Sequence, residues 1–218
     1  MLHFKLPAHF FQYAWNDQLA SWAVFFKRPQ RAIALYEASL ALGTRNTAAL
    51  LHAKSCLANL YASQNQATPA LKLMSELVEQ SPNNADFAFN LGYLHSELGA
   101  PKLAQQAFLS AIALNDNHDR AWYGLALIYI EQNRLLDAQS ALEKNTQIQP
   151  MSPYGWYQLA MVQQQLGRPK TAQKTLAHLR SFEPKFARGL ASDLQRLSCE
   201  ASPKAAELNA PEKTVQNT

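Results

Sequence analysis

The sequence predicts an all-α fold, a solenoid of stacked helix pairs, and three observations predict it. Leu57, Leu91, Leu125 and Leu159 recur at one constant spacing, each followed by a small residue at Ala58, Gly92, Ala126 or Ala160. Ala70, Ala104, Ala138 and Ala172 keep the same spacing. Asn65, Gly99, Asn133 and Gly167 form a further column between them. A period of 34, with small residues at fixed offsets, holds two helices per unit, each unit packing only on its neighbours.

The chain opens on an aromatic stretch. Phe4, Phe10, Phe11, Tyr13, Trp15, Trp22, Phe25 and Phe26 precede Lys27, Arg28 and Arg31. A helix is expected around residues 16–27, presenting Leu19, Trp22, Ala23 and Phe26 on one side. Ala32, Tyr36 and Ser39 then read as the second helix of a degenerate unit ended by Gly43. The offset to the next unit is four residues too long, with Thr44, Arg45, Asn46 and Thr47 in the connection. Terminal repeats are atypical because they cap the stack. Residues 1–50 are therefore expected to form a capping segment.

Four units follow, at 51–84, 85–118, 119–152 and 153–186. The third is the most legible. Trp122, Leu125, Ala126 and Tyr129 fall on one helical face, and Ala138, Leu142 and Asn145 on the face that returns against it. Ala126 and Ala138 let the two backbones approach closely. Gly or Asn in the turn column suits a left-handed helix cap. Pro82, Pro150 and Pro184, with Asp116 in the remaining unit, close the second helices. Ser152–Pro153 reads as an N-cap followed by proline at the first helical position, and Pro101 and Pro169 also open helices. Beyond the units, Phe186, Leu190, Leu194 and Leu197 form a stripe that covers the last repeat, with the capping helix continuing over 187–199. Residues 200–218 are polar, carry Pro203 and Pro211, and are expected to be disordered.

Trp122, Leu125, Ala126, Tyr129, Ala138, Leu142 and Pro150 resemble the tetratricopeptide (TPR) pattern, and all four units match it. The stretch Asn145–Ala160 is also similar to one in small bacterial TPR proteins. Asn145 departs from the pattern where a small residue is usual, and His95 and Gln163 where an aromatic is usual. The resemblance implies a right-handed solenoid of antiparallel helix pairs whose first helices line a concave surface. Carried onto this sequence, that surface holds Ser55 and Asn59, then Asp86, Phe89, Asn90 and Tyr93. Arg120, Tyr123 and Leu127 follow, and then Tyr154, Tyr157, Gln158 and Met161. Aromatic side chains supply contact area at little entropy cost, and Asn or Gln can satisfy a peptide backbone. The candidate peptide-binding residues are therefore Asn59, Phe89, Asn90, Tyr93, Arg120, Tyr123, Leu127, Tyr154, Tyr157, Gln158 and Met161. Packing of Tyr123 and Tyr157 against the next repeat is the alternative.

The carboxylate clamp of TPR co-chaperones is only half present. Asn59 and Asn90 match its asparagines and Arg120 replaces a lysine, but Ser55 and Gly124 stand where two cations should be. Most of the charge-assisted bonding to a terminal carboxylate is then missing.

Composition narrows the function classes. From Ala32 to Pro184 there are eleven Lys or Arg and eleven Asp or Glu, so the repeats are neutral. A nucleic-acid reader carries a basic stripe on its binding body, which is not the pattern here. The excess charge sits ahead of Ala32, where Lys5, Lys27, Arg28 and Arg31 face only Asp17. No phosphate-binding glycine loop, nucleophile elbow or zinc-protease motif is present, and the six histidines are scattered. Catalysis, cofactor binding and a metal site are not expected. Cys56 and Cys199 are expected as small side chains in a reducing compartment. No run approaches a spanning helix. His9, Gln12 and Asn16–Asp17–Gln18 interrupt any signal-peptide core. The expectation is a cytoplasmic, non-catalytic adaptor or assembly scaffold that holds a protein or peptide partner in its groove. The alternative is a peripheral membrane tether using residues 1–31.

Overall fold

The computed structural model describes residues 8–43 and 46–208. Phe4, Lys5, Thr44, Arg45 and residues 209–218 lie outside them, as do the side chains of Phe10 and Phe11. Every regular element among the described residues is an α-helix. The chain divides after Ala121 into two compact units. Unit 1 holds α1 (Ala8–Phe25), α2 (Pro29–Leu42), α3 (Thr47–Ser63), α4 (Ala67–Gln80), α5 (Ala85–Glu97) and α6 (Pro101–Leu114). It ends within the first turn of α7 (Asp119–Glu131). Unit 2 holds the rest of α7, α8 (Leu135–Ile148), α9 (Pro153–Gln165), α10 (Pro169–Phe182) and α11 (Pro184–Leu208).

The turn column is left-handed throughout. Asn65, Gly99, Asn133 and Gly167 take φ of 57°, 67°, 57° and 70°. In each turn the next residue's N–H returns to a carbonyl five positions back, as from Gln66 to Tyr61 at 2.8 Å and from Arg134 to Tyr129 at 2.8 Å. This satisfies a helix-end carbonyl that would otherwise lack a partner. The turn between α1 and α2 is built the same way. Lys27 has φ 54° and the Arg28 N–H reaches the Ala23 carbonyl at 2.8 Å. The N-terminal pair is thus a fifth copy of the helix–turn–helix unit, with lysine in place of Gly or Asn.

The step from Lys27 to Asn65 is four positions longer than the steps between the later turns. The extra four do not lengthen the connection, as the sequence suggested, but extend α3. That helix has 17 residues where α5, α7 and α9 each have 13. Four residues make about one helical turn, so the added turn leaves the buried face in register. The first helix of the unit expected at 51–84 accordingly starts at Thr47. Asn46 caps it, its side chain accepting the Ala49 N–H at 3.2 Å.

The buried face of α1 also differs from expectation. Tyr13, Ala20 and Ala23 are buried, and Leu19 is half-buried, while Trp22 and Phe26 point to solvent. The small side chains of Ala20 and Ala23 allow close packing, and the Tyr13 hydroxyl donates to the Ala49 carbonyl at 2.5 Å. Tyr13, Ala20, Ile33, Tyr36, Ala53 and Leu57 form one apolar cluster. In unit 2, α11 covers the last pair with Ala187, Leu190 and Leu194, with Phe186 half-buried beside them. It continues past Cys199 to Leu208, beyond the expected end of the capping helix and into the stretch expected to be disordered. Ser152 occupies the N-cap position before Pro153 without a capping hydrogen bond from its side chain.

Departures from the repeat pattern are compensated locally. A β-carbon at Gly92 would lie 2.7 Å from the Phe108 ring, whereas the other units set Ala58, Ala126 and Ala160 over the slimmer Met74, Leu142 and Leu176. Gln163, in an aromatic column, is buried and accepts the Thr175 hydroxyl at 2.8 Å. Asn145 is buried with its Oδ1 2.1 Å from where a β-carbon on Gly155 would stand.

Candidate functional site

Unit 1 carries a groove of about 690 Å³. Asn59, Ala62 and Ser63 of α3 form one wall, and Phe89, Asn90, Tyr93, Leu94 and Glu97 of α5 another. Arg120, in the first turn of α7, lies at its edge. Five sequence-predicted site residues therefore come together: Asn59, Phe89, Asn90, Tyr93 and Arg120. They do so because residues one period apart on equivalent helices become neighbours when consecutive units pack. Asp86 and Arg120 show this directly, standing one period apart in sequence and 3.2 Å from Oδ1 to guanidinium nitrogen.

The polar groups differ in availability. Arg120 is held by Asp86, and its guanidinium lies over the Phe89 ring at 4.7 Å. Both charges are largely exposed, so the pair contributes at most ~1 kcal/mol and mainly fixes the guanidinium. Asn59 and Asn90 have no hydrogen-bond partner among the described residues. Glu97 makes no ion pair among them either. With Asp86 and Arg120 cancelling, the groove is mildly acidic. A clamp for a terminal carboxylate would need the reverse.

His118 belongs to this site and was not singled out from sequence. Its Nδ1 accepts the Ala121 N–H at 3.2 Å, capping α7 as Asn84 caps α5. Its Nε2 approaches Asp86 Oδ1 to 3.3 Å without hydrogen-bond alignment, and its ring lies 5.0 Å from Phe89. The signal was present, because His118 stands one period after Asn84 and one before Ser152 in the cap column.

The candidates of unit 2 are engaged more closely with their own surroundings. Tyr157 is half-buried, meets Phe186 edge-on at 6.0 Å and donates its hydroxyl to Asp193. Burial and this carboxylate push its hydroxyl up to about 12. Tyr123 is half-buried against the cluster of Ala126, Ala138 and Leu142, with burial raising its hydroxyl and a hydrogen bond to Gln158 opposing that. Met161 is half-buried against the α10–α11 cluster. Leu127 and Tyr154 are exposed, Tyr154 resting edge-on against Phe186 at 5.2 Å.

Cys56, His52 and Asp17 also meet in unit 1, the residue types of a thiol-nucleophile triad. His52 Nε2 lies 3.6 Å from Cys56 Sγ and 3.6 Å from Asp17 Oδ1. One nitrogen cannot both take the thiol proton and be oriented by the carboxylate, as a triad requires. Burial raises the Cys56 thiol and keeps it protonated. The cluster is built to pack. Among the described residues no group of three metal-ligating side chains converges, and no helix is long and apolar enough to cross a membrane.

Residues 63–145 match the family of anaphase-promoting complex, cyclosome, subunit 3. Anaphase-promoting complex subunit 3 of Schizosaccharomyces pombe is 30% identical over 95 residues, which is 43% of this chain and 14% of the relative. The human protein O-mannosyl-transferase TMTC3 is 28% identical over 142 residues, covering 61% of this chain and 15% of that protein. The chain thus spans about one-seventh of the curated relatives it matches. In three dimensions it is similar to YrrB, described as a TPR protein with an unusual peptide-binding site. The TM-score is 0.62 at 20% identity, covering 81% of this chain and 90% of YrrB. The periodic columns, the left-handed turns that join each helix pair and these likenesses give the chain the fold of a tetratricopeptide-repeat solenoid.

Proposed function

We propose that the chain is a non-catalytic adaptor or assembly scaffold that holds an extended partner peptide in the unit 1 groove. One observation carries this reading. The amides of Asn59 and Asn90, both without partners among the described residues, face an apolar floor of Phe89, Tyr93 and Leu94. Amide side chains can donate to and accept from a peptide backbone, while the floor takes an apolar side chain. The peptide-binding site in the description of YrrB supports the same use of the fold. Because Tyr123, Tyr157 and Gln158 are tied into unit 2, the proposed site is confined to the groove of unit 1.

The test is an immobilised library of twelve-residue peptides probed with the full chain. Wild type should retain a set enriched in one apolar anchor and poor in acidic residues. Tyr93→Ala combined with Asn90→Ala should weaken that set at least tenfold, since two central anchors are worth roughly 2 kcal/mol or more. Tyr93 is 50% exposed, so the variant keeps its helical circular dichroism. Retention unchanged in a folded double variant overturns the groove.

A second reading, attachment to a membrane surface through residues 1–31, is favoured by one feature. Trp15, Trp22, Phe25 and Phe26 of the N-terminal pair are exposed to solvent rather than packed on α2.

A further inference from the structure

The α1–α2 turn accepts a conformational cost that the other turns avoid. Its left-handed residue is Lys27, where the later turns use Asn65, Gly99, Asn133 and Gly167. A side chain with a β-carbon loses about 1–2 kcal/mol there, and Asn or Gly loses less. Residues kept in such conformations point to a role that the side chain serves.

What surrounds Lys27 indicates the role. Trp22 stacks on Phe26 at 5.9 Å, and Phe25 meets Phe26 edge-on at 5.3 Å. Trp22, Phe26 and Phe25 are 54%, 59% and 77% exposed, so they project from the turn and cover no core. Trp15 lies seven residues before Trp22, on the same helical face and 66% exposed. Lys27, Arg28 and Arg31 are exposed and make no ion pair among the described residues. The flanking acids are engaged elsewhere, Asp17 turned towards His52 and Glu37 accepting the Tyr61 hydroxyl. Projecting indole and phenyl rings beside unpaired cations match the interface of an anionic bilayer, where aromatics sit at headgroup depth and cations meet phosphates. A pocketed protein partner would fit them less well, since rings that stack on one another leave no single anchor.

We infer that the α1–α2 turn docks on an anionic membrane surface, Trp22, Phe25 and Phe26 entering the headgroup layer and Lys27, Arg28 and Arg31 contacting its phosphates. This rests on the second reading above and assigns it to one turn. Lys27 is kept at this strained position because it places a cation at the tip.

The experiment uses the full chain and vesicles of phosphatidylcholine alone or in a two-to-one mixture with phosphatidylserine. Wild type should co-sediment with the serine-containing vesicles only, and high salt should release it. Lys27→Asn, the residue already tolerated at positions 65 and 133, should lose about fivefold in vesicle affinity, while its Tm stays or rises. Trp22→Ser with Phe26→Ser should abolish binding without loss of helicity. If wild type ignores both vesicle types, the membrane reading itself falls. If wild type binds but Lys27→Asn and the aromatic variant bind equally well, the membrane reading stands and the turn is the wrong element. Concentration-dependent self-association, lost in Trp22→Ser with Phe26→Ser and seen without vesicle binding, would make the patch a contact between copies of this chain and overturn the inference.

Discussion

At the scale of single residues, the departures at Gly92 and Gln163 each meet a partner that absorbs them. Gly92 makes room for Phe108, and Gln163 finds the Thr175 hydroxyl. Gly92→Ala should therefore destabilise. Its β-carbon meets ring carbons at 2.7 and 2.8 Å and the Ala104 carbonyl at 3.2 Å, and overpacking of this kind costs about 1–3 kcal/mol. That outweighs the roughly 1 kcal/mol that alanine gains over glycine in a helix. Adding Phe108→Leu should recover most of the loss, which urea unfolding of the single and double variants measures. An additive double variant would show that the two positions do not communicate. These partnerships were hard to read in the chain. Gln163 was visible as an outlier in its column, but Thr175 stands in a different column, and only the crossing of two helices brings them together. His118 was the opposite case. Its cap role is written in the periodic spacing from Asn84 and was missed because histidine is an unusual cap.

At the scale of elements, the sequence was most informative where the period is strict. Helix starts at Pro101, Pro153 and Pro169, the turn column and the stripe of α11 all follow from local chemistry. It was least informative for α1, whose aromatic residues are spread around the helix. A helix with aromatic residues on both sides has no periodic signal to choose its buried face, and the choice fell to the small residues Ala20 and Ala23. The turn at Lys27 hid for a related reason, since lysine is not a turn residue by propensity. The left-handed φ of Lys27 and the bond from the Arg28 N–H to the Ala23 carbonyl reveal it. Removing residues 1–31 should uncover Tyr36, Ala53 and Leu57, which share the cluster of Tyr13 and Ala20. The two large side chains, Tyr36 and Leu57, at about 1.5–3 kcal/mol each give an expected loss on the order of 3–6 kcal/mol. A lower Tm and increased binding of an apolar dye would follow. An unaltered Tm would show that α1 contributes contact area without stability.

At the scale of the molecule, charge contributes little to folding. The repeats balance eleven cations against eleven anions. The ion pairs Asp86–Arg120, Arg134–Asp137 and Asp193–Arg196 are all partly or largely exposed. Such pairs are worth about 0–1 kcal/mol and are screened beyond roughly 8 Å at physiological salt. Tm should consequently shift by no more than about 2–3 °C when sodium chloride is raised roughly tenfold to half-molar. Vesicle binding over the same range should fall steeply. A large fall in Tm would mean that an ion-pair network carries stability. Fold class was legible from the periodic columns because nearest-neighbour packing repeats the same chemistry. Five of the eleven candidate site residues meet in one groove for the same reason. What the columns did not reveal is which polar groups are already taken, because Tyr157–Asp193 and Tyr123–Gln158 pair across different helices.

The fit of Asn145 against Gly155 bears on how far these repeats are interchangeable. The corresponding neighbours elsewhere are Leu77 with Phe87 and Ala111 with Ala121. Each junction thus has its own shape. A segment carrying Asn145 spliced ahead of one beginning with Phe87 or Ala121 would drive its amide into a side chain, and Gly155 set behind Ala111 would leave a hole. Duplication or shuffling of single units, the usual route by which repeat arrays lengthen, is therefore obstructed at this joint. An engineered array should accordingly carry 119–152 and 153–186 together as one cassette.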